Sequence, residues 1–274
     1  MAKHGPGTVI AGKYEIQREL GRGATAVVYE AYHQFLRREV ALKILHLHMM
    51  TQTEVVERFA REAASLASIS HPAIVAVLDA GEYDGRTYMV QELIEGKELE
   101  EAIGEGGLTP DDALEIGAQL ADGLHAVHQL GVVHRDVKPQ NVFLSRKDGR
   151  LHVKLVDFGI AKTFFGEALT MPGLTVGTPE FMAPEQAMGQ EVDGRTDVFA
   201  LGAVLFNIAT GRVPFDAVGL QDLMIQIAYE RAPYLALERP DLPAALSNAV
   251  DRALEPKPAD RWSTAAAMAA ALRG

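Results

Sequence analysis

The chain has 274 residues, 48% hydrophobic and 23% charged, with a formal net charge of −11 and no cysteine. This supplies enough apolar surface for a large core or two packed lobes and excludes a disordered chain. The acidic balance argues against a nucleic-acid binder, and the lack of cysteine excludes disulfides and thiolate metal sites.

No apolar run reaches the roughly 18–20 residues needed to cross a bilayer. The opening stretch, MAKHGPGTVIAGKY, holds no signal-like apolar segment. A cytoplasmic setting is therefore expected, with an anchor beyond residue 274 left open. Residues 1–12, with Gly5, Pro6, Gly7 and Gly12, read as a flexible lead-in. Short β-rich segments follow at Tyr14–Leu20, Ala26–Ala31 and Val40–Leu45, then helical spacing over Thr53–Ser68. Strand-like Ile74–Leu78 and Thr87–Gln91 complete a small sheet carrying one helix. From about Leu93 helices dominate: Pro110–Gln129, Asp197–Thr210 and Leu220–Ala228, with short strands at Val132–Val133, Val142–Leu144 and Lys154–Val156. Thr109-Pro110-Asp111-Asp112 combines a capping hydroxyl, proline at the first helical position and carboxylates at the positive dipole end. The predicted class is α+β: an antiparallel-sheet lobe over 13–94 and a larger, mainly helical lobe over 95–274.

Five segments carry chemistry. Gly21-Arg22-Gly23-Ala24-Thr25-Ala26 lies between two strands. Glycines there permit positive φ and bring backbone N–H groups toward an anion. A dinucleotide loop would need a helix after the glycines, but Ala26-Val27-Val28-Tyr29 is β-prone. In Val40-Ala41-Leu42-Lys43, alternation puts Ala41 and Lys43 on one strand face. Val55, Phe59, Glu62 and Leu66 share one helical stripe, where an unpaired carboxylate would be costly. Further on, HRDVKPQN (134–141) contains Asp136, Lys138 and Asn141, and DFG (157–159) begins with Asp157. Carboxylate and amide oxygens of this kind suit hard divalent cations.

In this order the segments resemble the eukaryotic-like (Hanks-type) serine/threonine protein kinases, most closely the bacterial PknB type. The resemblance runs from about Tyr14 to Leu272. It implies a two-lobed kinase fold, ATP with Mg²⁺ (Mn²⁺ as an alternative), and transfer of the γ-phosphate to Ser or Thr hydroxyls of proteins. On this reading Asp136 orients the substrate hydroxyl, Lys138 offsets charge on the transferring phosphate, and Asn141 and Asp157 hold metal. Lys43 reaches the phosphates and Glu62 pairs with it. Leu20, Gly21, Arg22, Gly23, Ala24, Val28, Ala41 and Phe143 surround the nucleotide, Glu92 and Ile94 offer backbone to adenine, and Glu98 reaches the ribose. Two departures stand out: Ala26 replaces a glycine, and Gln91 replaces an apolar residue behind the adenine site. His134 is expected to pack under Phe158 and to take no part in chemistry.

Residues 157–185 resemble an activation segment ending in Ala183-Pro184-Glu185. Within it Thr170 and Thr175 are candidates for autophosphorylation, with Arg135 as phosphate partner, whereas Thr178 matches a threonine that bonds the catalytic Asp and Lys. Asp197 is expected to hold the catalytic-loop backbone, and Arg261 to pair with Glu185. The implied partners are protein substrates, the chain itself, and a second copy in a homodimer. Two other readings are a pseudokinase scaffold and a small-molecule kinase. Against the first, Lys43, Asp136 and Asp157 are all present; against the second stand the long segment, Lys138 and Thr178.

Overall fold

The computed structural model describes residues 4–23, 25–158 and 179–274, apart from the side chains of Glu54, Arg58, Arg61 and Glu62. The chain divides into two compact units, one of Met1–His71 and Val75–Glu95, the other of Pro72–Ile74 and Gly96–Gly274.

The first unit is an antiparallel sheet of β1 (Val9–Ile10), β2 (Tyr14–Arg22), β3 (Ala26–His33), β4 (Arg38–Leu45), β5 (Val77–Tyr83) and β6 (Arg86–Glu92). The strand order is β1-β2-β3-β4-β6-β5. Alternation sends Val27, Tyr29, Ala31, Val40, Leu42, Ile44, Tyr88 and Val90 to one buried face, joined by Ile10, Tyr14 and Ile16. Val28, Ala41 and Lys43 take the opposite parity and are only half-buried. One helix, α1 (Thr53–Ala67), completes the unit. Val55, Phe59, Ala63 and Leu66 are its buried stripe. Glu62 lies on this helix, but its side chain is outside those described.

Three expectations change here. Residues 1–12 are not simply a lead-in, because Val9 and Ile10 pair with Glu15 and Tyr14 and Ile10 is buried. The strand expected at Ile74–Leu78 starts at Val77 and runs to Tyr83; Ile74 makes only an isolated bridge to Leu155. β2 also continues through Gly21 and Arg22, and neither Gly21 nor Gly23 has positive φ. The glycines of this turn are therefore not needed for a left-handed backbone.

The second unit holds a small sheet, β7 (Lys97–Glu98), β8 (Val142–Lys147) and β9 (Arg150–Leu155), in that spatial order. Its longer helices are α2 (Leu99–Gly104), α3 (Pro110–His128), α4 (Pro184–Ala187), α5 (Gly194–Thr210), α6 (Leu220–Tyr229), α7 (Leu235–Glu238), α8 (Ala244–Ala253) and α9 (Ala265–Arg273). The start of α3 forms a capping box: Thr109 Oγ1 accepts from Asp112 N at 3.1 Å, and the Asp112 carboxylate accepts from Thr109 N at 3.0 Å. Every residue from Thr196 to Phe206 on α5 is buried, so this helix is the unit's centre. Gly117 lets α3 approach it closely, since an added Cβ would lie 2.9 Å from Leu205 and Leu272 side-chain carbons. Val132–Val133 forms no strand; Val132 N instead bonds Val127 O at 3.4 Å, extending the turn that ends α3.

Candidate active site

In the first unit, strand register brings the expected nucleotide-binding residues together. Val28 pairs with Lys43, and Ala41 pairs with Gln91. Val28, Ala41 and Lys43 therefore share one face, as alternation predicted. Gln91 is buried at 7% exposure, with Ala41 and Val77 as its backbone partners. The β2–β3 turn is closed by Gly23 N donating to Ala26 O at 2.9 Å. Arg22 forks onto Glu19, with Nε–Oε1 at 3.0 Å and Nη2–Oε2 at 2.7 Å. Leu20 is 39% exposed. Among the described residues, a Cβ added at Gly21 would meet no atom within 4 Å. Ala24 lies outside the described residues. Glu92 accepts from Ala76 N at 2.8 Å and donates its own N–H to Ala76 O at 3.0 Å, which fixes the end of β6.

In the second unit, the β8–β9 hairpin sets the geometry. Val142 pairs with Leu155, and Val156 N donates to Asn141 O at 2.9 Å. Asn141, just before β8, thus lies beside Asp157, just after β9. Asn141 Nδ2 donates to Asp136 O at 2.8 Å and approaches Asp136 Oδ2 at 3.2 Å and Asp157 O at 3.5 Å. This turns the amide nitrogen toward the loop and its oxygen away from these acceptors. Lys138 Nζ lies 3.1 Å from Asp136 Oδ2, both side chains being 14% exposed. Asp136, Lys138, Asn141 and Asp157 therefore form one cluster, drawn from two stretches of the sequence, 136–141 and the start of 157–159. Glu98 and Phe143 face each other across β7 and β8. The Glu98 carboxyl is pushed up by partial burial and by the neighbouring Glu100 and Glu101.

Two residues of the cluster's frame adopt positive φ, Arg135 at 65° and Asp157 at 52°. Such backbone persists only when surrounding contacts hold it. Asp197, fully buried on α5, supplies those contacts at Arg135. Its Oδ2 accepts from His134 N and its Oδ1 from Arg135 N, each at 2.8 Å, and His128 Nε2 lies 2.7 Å from Oδ2. Gln186 adds a bond from Nε2 to Arg135 O at 3.1 Å. His128 and Gln186 were not anticipated. Their histidine and glutamine types carry no positional signal without the fold.

His134 behaves as expected from packing. It is fully buried, and its ring centroid lies 4.4 Å from that of Phe158. Asp136 N donates to Nδ1 at 3.2 Å, so Nε2 carries the hydrogen toward Val156 O at 3.1 Å. Burial holds its pKa below the ordinary value, against the pull of Asp197 and Asp136. The imidazole is neutral and structurally committed. Arg261 pairs with Glu185 as expected, each of two N···O distances being 2.8 Å. Burial pushes the Glu185 carboxyl up, but Arg261 and the Thr196 hydroxyl at 2.7 Å outweigh it and leave it below the ordinary range. Thr170, Thr175, Thr178 and Gly159 lie outside the described residues.

The chain is thus of the α+β class, with oxygen donors and a lysine grouped around one aspartate. A family model described as "Protein kinase domain" matches residues 14–272, and the chain belongs to that family. Relatives include serine/threonine-protein kinase Pkn1 of Myxococcus xanthus, 39% identical over 267 residues that cover 97% of this chain and 38% of that protein. PrkC of Bacillus subtilis is 37% identical over 268 residues, covering 97% of this chain and 41% of PrkC. The chain therefore spans about two-fifths of the length of these curated relatives. Among solved structures, the Mycobacterium tuberculosis PknI kinase domain superposes with a TM-score of 0.77 at 32% identity, covering 99% of both chains. No described helix is long and apolar enough to cross a membrane.

Proposed function

We propose that this chain transfers the γ-phosphate of Mg-ATP to serine and threonine hydroxyls of proteins, itself included. The observation that carries this reading is the cluster in which Lys138 Nζ and Asn141 Nδ2 meet Asp136 Oδ2 at 3.1 and 3.2 Å. Asp136 is the hydroxyl-orienting base in this reading, and Lys138 the cation that steadies the transferring group. The donor set fits a divalent ion: the Asn141 amide oxygen points away from the loop, and Asp157 adds a carboxylate, as hard cations require. When bound, that ion supplies charge neutralisation at the phosphates. Lys43, on one sheet face with Val28 and Ala41, is assigned to the nucleotide phosphates, and Glu62 to control of that lysine. Leu20, the turn from Gly21 to Ala24, Gln91, Glu92, Ile94, Glu98 and Phe143 are assigned to nucleotide binding. Thr170 and Thr175 are assigned as autophosphorylation sites, with Arg135 as their phosphate partner.

The test is incubation with radiolabelled ATP, Mg²⁺ and a generic protein substrate, followed by phosphosite mapping. Label should appear on serine and threonine, including residues 170 or 175, and should vanish in Asp136→Asn and Asp157→Ala. Absence of label from every protein, the chain itself included, would refute the proposal.

A further inference from the structure

The tip of the β2–β3 hairpin has little packing beneath it. Gly21, Arg22 and Gly23 are exposed, and among the described residues a Cβ at Gly23 would touch only Ala26 O, at 3.8 Å. Hydrogen bonds must therefore hold the tip in place, and two of them come from a single residue beyond the end of β4. His46 Nε2 lies 3.0 Å from Gly23 O, and His46 N donates to Thr25 O at 2.8 Å. A carbonyl oxygen only accepts, so Nε2 carries the hydrogen. The two bonds grip the chain on either side of residue 24. The imidazole is itself held by stacking on His48, with centroids 5.4 Å apart and planes 17° from parallel. His46 also lies three residues after Lys43 on the same run of chain, and the β3–β4 register pairs Val28 with Lys43. The His46 side chain thus adds a tie between the turn and the end of the lysine strand, beside the backbone bond to Thr25 O.

We infer that His46 is a positioning residue for the phosphate-facing turn. Resting on the kinase reading above, it sets where the turn's backbone N–H groups meet the nucleotide, and takes no part in transfer. A loop that binds phosphate through backbone N–H groups loses affinity when those groups wander, because ordering them then costs entropy at binding. Removing the side-chain bond should free the tip by the equivalent of one hydrogen bond, roughly 2- to 10-fold in local opening.

Two variants separate the bond from the ring. His46→Phe keeps an aromatic ring on His48 and deletes the donor, while His46→Gln keeps an N–H at similar reach. Hydrogen exchange is measured first on nucleotide-free protein, then KM for Mg-ATP and kcat. In His46→Phe, amides of residues 20–27 should exchange roughly 2- to 10-fold faster, with the rest of the sheet unchanged. Its KM for Mg-ATP should rise by a similar factor while kcat stays within about twofold, and His46→Gln should restore both readouts. Unchanged exchange, faster exchange with an unmoved KM, or a glutamine variant no better than phenylalanine would each overturn the inference. Exchange needs no nucleotide, so an inactive wild type would count against the kinase reading alone, and exchange would still decide the role of His46.

Discussion

Arg261 grips Glu185 with both arms of its guanidinium while its remaining N–H groups reach three backbone carbonyls. Nε donates to Glu255 O at 2.8 Å, Nη1 to Arg195 O at 3.0 Å and Nη2 to Pro256 O at 2.9 Å. With the two bonds to Glu185, all five donors of the side chain are used. The guanidinium also lies 4.8 Å from the Phe199 ring centre on α5. Deleting one partner leaves the other charged and buried, which costs about 3–5 kcal/mol. Glu185→Ala should lower unfolding free energy by about that amount. Arg261→Lys should be no milder, because a lysine cannot fork and strands buried carbonyls. Urea unfolding of both variants checks this; an Arg261→Lys protein near wild-type stability would contradict it.

The carboxylate of Asp197 holds two consecutive backbone N–H groups, those of His134 and Arg135, the latter in the left-handed region. Asn at this position keeps the shape but offers one accepting oxygen, so one N–H would face an amide NH₂. The loop carrying Asp136 should then sample wrong conformations. Asp197→Asn is expected to lower kcat by roughly 10- to 100-fold, with KM for Mg-ATP within about twofold. Steady-state kinetics distinguish this from a nucleotide-binding defect, which would move KM instead.

The sequence reveals local pattern well and tertiary geometry poorly. Strict alternation made β3 and β4 and the Val28–Ala41–Lys43 face readable, and the Thr109–Asp112 box made the start of α3 readable. β1 was missed because two residues inside a glycine-rich stretch show no period; their pairing with Glu15 and Tyr14 exists only once the sheet forms. β5 was misplaced because Asp79, Gly81 and Glu82 interrupt its apolar pattern. Val132–Val133 looked like a strand by side-chain type, but the chain there still turns off α3. Motif order pointed to Asp136, Asn141 and Asp157, and the structure places these three together. Motif order could not show that His128 reaches Asp197 from 69 residues away, nor that His46 holds Gly23.

The buried neutral His134 makes stability depend on pH. Its folded pKa lies below the ordinary histidine value of about 6.5, so the unfolded chain binds a proton before the folded one does. Stability from this group is therefore intact above about pH 6.5 and declines as pH falls below it, by up to about 1.4 kcal/mol per unit. His134→Phe removes that proton uptake but also loses the bonds to Asp136 N and Val156 O. The variant should be less stable at pH 7.5, and its deficit should shrink at pH 5.5. Urea midpoints across that range provide the check; a deficit that stays constant or widens would contradict the assignment.

Lys138 meets Asp136 at 3.1 Å with both side chains only 14% exposed, so its charge acts in a partly desolvated setting. If it steadies charge that develops on the transferring phosphoryl group, its effect belongs to the transition state. Lys138→Met keeps the length and removes the charge. It should lower kcat by roughly 100-fold, with KM for Mg-ATP within about twofold, since that charge is assigned to transfer and not to holding nucleotide. Lys138→Arg keeps a cation but spreads it over a plane that cannot sit as a point charge on one oxygen. It should recover only part of the loss. The opposite pattern, a raised KM with kcat intact, would move Lys138 from transfer to ground-state binding and leave Asp136 without a cationic partner in the chemical step.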